Sequence, residues 1–367
     1  MEPSSKRGWP KALDTVERQN LSGRTPERDP GGDDNSKKPS PASAWPEMAT
    51  PAIRKRKLSV VERPAFTRED AWFLAELPIL AAVATVVPER KWGSVCTRLE
   101  RIKSSLGRFS PERIRRGMSV LDSAKATVGN ALGVAATRSE HHVQIIRDYL
   151  WGWSAPMELV GRDNLERSLD EGRGALLWVA HFSFNSLAAK RALHNAGFQV
   201  SHMSRDEHGF SKSRFGIAWL NPIRVKTERR YLAGRIAIDR ANPLSAVRRA
   251  YDLLAANQIV SITAGAWEGA RVVTVGVGGA ELDLATGAPG LALTTGAALL
   301  PVFTVRDPGG TGIRVVVDGP IAKPVGGDHD DAMVAMAQEY ARRLMPFVSA
   351  YPLQWRDWEK LRPARSR

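Results

Sequence analysis

The sequence predicts an α/β fold, a layered domain around a central, mostly parallel sheet, preceded by N-terminal helices and a disordered leader. Three observations carry this. From about residue 157, short apolar runs alternate with helical stretches of ten or more residues, which implies parallel pairing through crossover helices. Residues 92–156 carry helical patterning alone. Residues 1–64 carry no apolar periodicity and hold 9 of the 23 prolines.

The leader, 1–64, is read as disordered because it cannot bury enough surface to offset its ordering entropy. It has no continuous apolar stretch, so it is no secretory signal. Its basic run Arg54-Lys55-Arg56-Lys57 reads as a solvated or lipid-facing patch. Residues 65–156 form a helical, membrane-associating segment. Within it, residues 71–87 are mostly apolar, interrupted by Glu76 and Pro78, with Arg90 and Lys91 just after. This stretch lies at the lower edge of a bilayer span, and a spanning, an interfacial and a buried helix all remain open. Ser110-Pro111-Glu112-Arg113 reads as a helix start. Trp151, Trp153 and Tyr149 close the segment, with core packing as their plainest role.

The core, 157–367, then unfolds in order. Residues 174–180 read as a buried strand, 186–194 as a helix stopped by Gly197, and 198–203 as a second strand. A helix over 245–256 precedes a strand over 258–263. A helix over 289–295 ends at Gly296 and leads to strands over 299–305 and 313–317. A last helix covers 330–345. The glycine-rich Gly276-Val-Gly-Gly279 lacks the strand-to-helix setting of a nucleotide loop.

With 367 residues, 43% hydrophobic and 25% charged, the chain is long enough for one large domain or two ordinary ones. Its single cysteine, Cys96, excludes a disulfide framework and reads as a small buried hydrophobe. The net charge of +14 is not a tail effect: the leader holds 13 Lys and Arg against 9 Asp and Glu, leaving +10 on the rest. Such a surface suits an anionic partner, whether nucleic acid, anionic lipid or an acidic carrier. There is no recognisable nucleic-acid module, so no nucleic-acid partner is expected. His141-His142, His202 and His208 have no partner at zinc-ligand spacing, so no metal site is expected.

The chemistry gathers at His181. It stands between a buried strand and a helix, where α/β folds place their sites. The helix dipole there disfavours imidazolium and keeps the ring neutral, as a general base requires. Here the sequence resembles the lipid A biosynthesis lauroyl/myristoyl acyltransferases, of the lysophospholipid acyltransferase superfamily. The likeness covers about residues 70–360. Residues 161–174 look like the family's lead-in. His181-Phe-Ser-Phe-Asn-Ser186 takes the place of its His-x4-Asp/Glu motif, and Arg205 that of an arginine after the next strand. Ala264-Gly-Ala-Trp-Glu-Gly-Ala-Arg271 resembles the Pro-Glu-Gly-x-Arg block. Residues 286–297 with Leu300-Pro-Val-Phe303 resemble a block ending Val-Pro-Val-Phe, and Pro352-Leu-Gln-Trp-Arg-Asp-Trp358 a terminal Pro-Glu-Gln-Trp pattern.

The resemblance implies acyl transfer from acyl carrier protein or acyl-CoA to a hydroxyl of a glycolipid-like or other acceptor. It implies no cofactor and a place at an anionic membrane, the cytoplasmic face of a bacterial inner membrane. His181, as the base, and Glu268 are then catalytic, and Ser186, Arg205 and Arg271 meet substrate. The motif acid is missing, with Ser186 in its place. Three readings follow. Another acid, Glu268 first and Asp206 or Glu207 next, replaces it in space. Alternatively, Ser186 orients the ring through its hydroxyl. Or the chain binds lipid or carrier without catalysis. Asn185 reads as a helix cap, with a role at an oxyanion or the ring as its alternative.

Overall fold

The computed structural model describes residues 52–56, 62–205, 207–239, 242–265, 269–307 and 310–364. The N-terminal helices come first. Helix α1 (Arg68–Val86) starts at a reciprocal cap: the Thr67 hydroxyl accepts from the Asp70 amide, and the Asp70 carboxylate accepts from the Thr67 amide. Its inner face buries Leu80, Val83 and Ala84, while Leu74, Ile79, Ala82 and Val86 point outward. Helices α2 (Trp92–Ser105), α3 (Glu112–Leu121) and α4 (Val128–Trp151) follow. Pro111, not Ser110, is the cap residue of α3. No helix of the described residues is long and apolar enough to cross a membrane.

The seven-stranded sheet has the order β2 (Met157–Val160), β10 (Ile313–Val317), β9 (Ala298–Arg306), β3 (Ala175–Val179), β6 (Ile259–Thr263), β4 (Val200–Arg205) and β5 (Gly234–Ile238). Only the β9–β10 pair is antiparallel. Strand β3 is buried along its whole length, as a strand covered on both faces must be. Leu177 and Val179 pack with Leu80, Trp92 and Val143 in one apolar cluster. Leu176 and Trp178 pack on the other face with Tyr340 and Phe347. The helical segment and the sheet therefore share a core.

Helix α5 (Arg162–Asp170) links β2 to β3, and α6 (Lys190–Asn195) follows β3 through a π-helical turn at Asn185–Ala189. Helices α7 (Asn221–Arg229), α8 (Pro243–Ala255) and α9 (Gly287–Thr295) complete the crossovers, and α10 (His329–Ala350) closes the outer layer.

A second, antiparallel sheet was not among the expected elements. Its order is β1 (Ile53–Lys55), β7 (Arg271–Val277), β8 (Ala280–Ala285) and β11 (Arg362–Pro363). The glycine-rich stretch is the β7–β8 turn, where Gly278 and Gly279 adopt φ of 60° and 86°, values open to glycine at little cost. The leader reading does not hold for residues 53–55. Arg54 donates to the Asp283 carboxylate at 2.8 Å, so part of the basic run is an edge strand, with Arg54, Lys55 and Arg56 still exposed. Lys57 lies outside the described residues. Cys96 is fully buried, as expected.

Candidate active site

His181 follows β3 at the edge where the parallel strands present their carboxyl ends. The loop beyond it is fixed from two sides. Asn185 donates its side-chain amide to the Ala180 carbonyl at 2.9 Å, tying the π-helical turn back to the strand. The C-terminal segment pairs with the loop: the Ser183 amide donates to the Gln354 carbonyl at 2.7 Å, and the Arg356 amide to the His181 carbonyl at 3.0 Å.

That segment is itself anchored. The Gln354 side chain accepts from the Arg306 amide at 2.9 Å and donates to the Arg306 carbonyl at 2.6 Å. Trp355 is buried and meets Trp358 edge to face. Trp358 sits against Gly117 of α3, where a Cβ would lie 1.8 Å from the Trp358 carbonyl oxygen. Only glycine lets the helix and the segment approach this closely.

The result is a carboxylate at His181 that no local spacing reveals. Asp357 Oδ1 lies 2.7 Å from His181 Nδ1, and the Asp357 side chain is only 5% exposed. Lys360 Nζ donates to the same oxygen at 2.6 Å. With the Nδ1 proton donated to Asp357, the lone pair of the neutral ring is on Nε2. Burial pulls His181 down to about 4, opposed by Asp357 and reinforced by Arg356 and Lys360. The ring is therefore neutral at physiological pH and is a base rather than a cation. Burial would raise Asp357, but His181 and Lys360 hold it well below the usual carboxylate range. Burial also brings Lys360 down to about 8, opposed by Asp357.

The imidazole opens into a cleft of about 440 Å³. Arg113 and Arg116 from α3, Arg138 from α4, and Arg356, Glu359 and Lys360 from the C-terminal segment line it. Arg138 donates to the Arg356 carbonyl at 3.0 Å.

The expected site residues are distributed differently. Ser186 does not orient His181: its hydroxyl lies 2.7 Å from His141 Nε2, deep in the helical layer. The reason is geometric, since the π-helical turn directs residue 186 toward α4. Glu207 is buried and receives Arg63 at 2.9 Å rather than His181. Glu268 and Asp206 lie outside the described residues. Arg205 ends β4. Register through β6 puts it level with Ala180 and two strands away, a separation of about 10 Å across the sheet. Arg271 opens β7 and pairs with Asp330 of α10, and it does not line the cleft. Asn185 braces the loop from within the turn and does not cap it.

Sequence reading missed Asp357 and Lys360. Asp357 is the one acid in the terminal block 352–358. That was the available signal, but 176 residues separate it from His181.

Residues 121–359 match the bacterial lipid A biosynthesis acyltransferase family. The match takes in α4, the whole seven-stranded sheet, His181 and the segment that carries Asp357. A search of curated proteins finds none that matches the chain. With the His181 loop, the carboxyl-edge site and the terminal Gln354-Trp355 anchor inside the matched span, the chain belongs to the bacterial lipid A biosynthesis acyltransferase family.

Proposed function

We propose that the chain transfers a fatty acyl group from a thioester, on acyl carrier protein or acyl-CoA, to a hydroxyl of a glycolipid-like acceptor. The observation that carries this is the 2.7 Å His181–Asp357 contact at the mouth of the cleft. Nε2 of His181 takes the hydroxyl proton as the oxygen attacks the thioester carbonyl. The carbon–sulfur bond then breaks, the ester forms, and the leaving sulfur takes the proton back from the imidazolium. Asp357 fixes the tautomer and stabilises the transient cation, the role of the third group in a catalytic triad. In this reading Asp357 does the work of the motif acid absent at Ser186.

We place the reaction on the cytoplasmic face of a bacterial inner membrane. The outward face of α1 supports this, with Ala71, Leu74, Ala75, Ile79, Ala82 and Val86 exposed along it. Exposed Arg68, Arg90 and Lys91 flank that face, the charge pattern of a helix lying on an anionic leaflet. The same basic surface suits an acidic carrier.

The test is thioester release by purified protein given acylated carrier and total membrane lipid, with His181→Ala and Asp357→Asn alongside. Release lost in both variants supports the reading. A second reading is a member that binds lipid or carrier without catalysis, favoured by the engagement of Ser186 with His141. No release from any form, with lipid or carrier binding intact, selects it.

A further inference from the structure

Among the described residues, the cleft over His181 is short of negative charge. Five cations line it, Arg113, Arg116, Arg138, Arg356 and Lys360. Among the described residues the nearby carboxylates are Glu359, which pairs with Arg138 at 3.5 Å, and Asp357, which His181 and Lys360 already share. Among the described residues, no carboxylate pairs with Arg113, Arg116 or Arg356. The Nε atoms of Arg138 and Arg356 are buried without a hydrogen-bond partner. Packing like charges into a half-enclosed site is unfavourable unless an anion fills it. Planar guanidinium forks from two helices and a loop suit a tetrahedral oxyanion.

We infer that the cleft receives a phosphate group of one of the substrates, and that its arrival makes His181 a stronger base. The inference rests on the proposed role of His181 but concerns what controls it. Among the described residues, the charged groups that line the cleft or meet the ring are Arg356, Asp357, Glu359 and Lys360 from the C-terminal segment, Arg113 and Arg116 from α3, and Arg138 from α4. The Tyr340 hydroxyl of α10 is buried, and burial and the charge of Asp357 hold it protonated. Apart from Asp357 and Glu359, every ionised group among these described residues disfavours imidazolium. A phosphate dianion among these arginines cancels their field and leaves Asp357 dominant, so the ring gains proton affinity. Base strength then depends on the substrate's charge, and an uncharged alcohol is a poor acceptor even if it reaches Nε2. The phosphate belongs either to an anionic acceptor lipid or to the phosphopantetheine arm of the donor.

The test is the titration of His181 in the full chain by NMR with ¹⁵N-labelled histidine, the signal assigned with His181→Gln. The titration is run in chloride and in inorganic phosphate at equal ionic strength. Phosphate should bind saturably and raise the His181 midpoint by at least about one pH unit. The double variant Arg113→Gln, Arg116→Gln, altered at two exposed positions, should abolish the rise. Absence of binding, or binding without the rise, overturns the inference. Lysophosphatidate and 4′-phosphopantetheine are then compared: a rise with the first alone assigns the site to the acceptor, and with the second alone to the donor. The arms separate the two readings. His181-dependent transfer without the rise defeats this inference alone. The rise without any transfer defeats the proposed reaction and leaves the phosphate site standing.

Discussion

Replacing Asp357 by asparagine removes a charge and little else in shape. Its Oδ1 accepts from His181 Nδ1 at 2.7 Å and from Lys360 Nζ at 2.6 Å. An asparagine oxygen is drawn to the same place by Lys360, so the ring keeps its orientation and tautomer. What disappears is the negative charge that stabilises imidazolium. In a triad where the substitution also inverted the tautomer, the loss was about 10⁴-fold. With the tautomer kept, about 10²- to 10³-fold is expected, or about 3–4 kcal/mol of transition-state stabilisation. The variant also leaves Lys360 and Arg356 without that counter-charge in a half-buried setting, so some stability is lost as well. The assay is kcat/KM for thioester release, with urea unfolding to confirm that the variant is folded at the assay temperature. A folded Asp357→Asn protein within about threefold of wild type would refute the argument that this carboxylate serves the base.

Three further outcomes follow from the same geometry. Ser186→Glu should not raise thioester release and should lower the thermal midpoint, because residue 186 is buried against His141 rather than beside His181; a gain in rate would overturn this. Gly117→Ala should cost activity through a displaced C-terminal segment, since its Cβ would lie 1.8 Å from the Trp358 carbonyl oxygen; an unchanged rate and midpoint would count against the close approach. Stability should fall on acidification from about pH 6.5 toward pH 4. Burial lowers His142 to about 3 and His181 and His208 to about 4, from an ordinary 6.5. In that window the unfolded chain takes up protons that the folded chain refuses, so stability is full above the unfolded value and declines below it. Burial holds His141 and His202 well below that value too, so five such sites give a slope of at most about 7 kcal/mol per pH unit. Urea midpoints at pH 7, 6 and 5 check it, and a flat profile would sink it.

Much of the fold was legible because its signals are local. The buried strand at Ala175–Val179 is a continuous apolar run ended by a histidine, and the helix at Gly287–Thr295 stops at Gly296 with φ of 76°. His181 was legible as well, since a strand end before a helix places a residue at the sheet's carboxyl edge whatever surrounds it. The second sheet was legible only in its β7–β8 hairpin, where alternating residues flank Gly278 and Gly279. Its strands β1 and β11 are short and come from opposite ends of the chain, and neither carries an alternating pattern of its own. The motif acid was sought at a local spacing, five residues on, where only Ser186 stands.

The amino-acid sequence by itself determined the layered α/β class, the family and the position of the base, because periodicity, turn chemistry and motif order act over a few residues. Only the tertiary structure decided which acid meets that base. Asp357 reaches His181 because Gln354 clamps the end of β9, Trp355 fills the core and Gly117 admits Trp358 against α3. It likewise brought arginines from α3, α4 and the C-terminal segment around one imidazole. Those contacts depend on how distant segments close on each other, and no spacing along the chain records that.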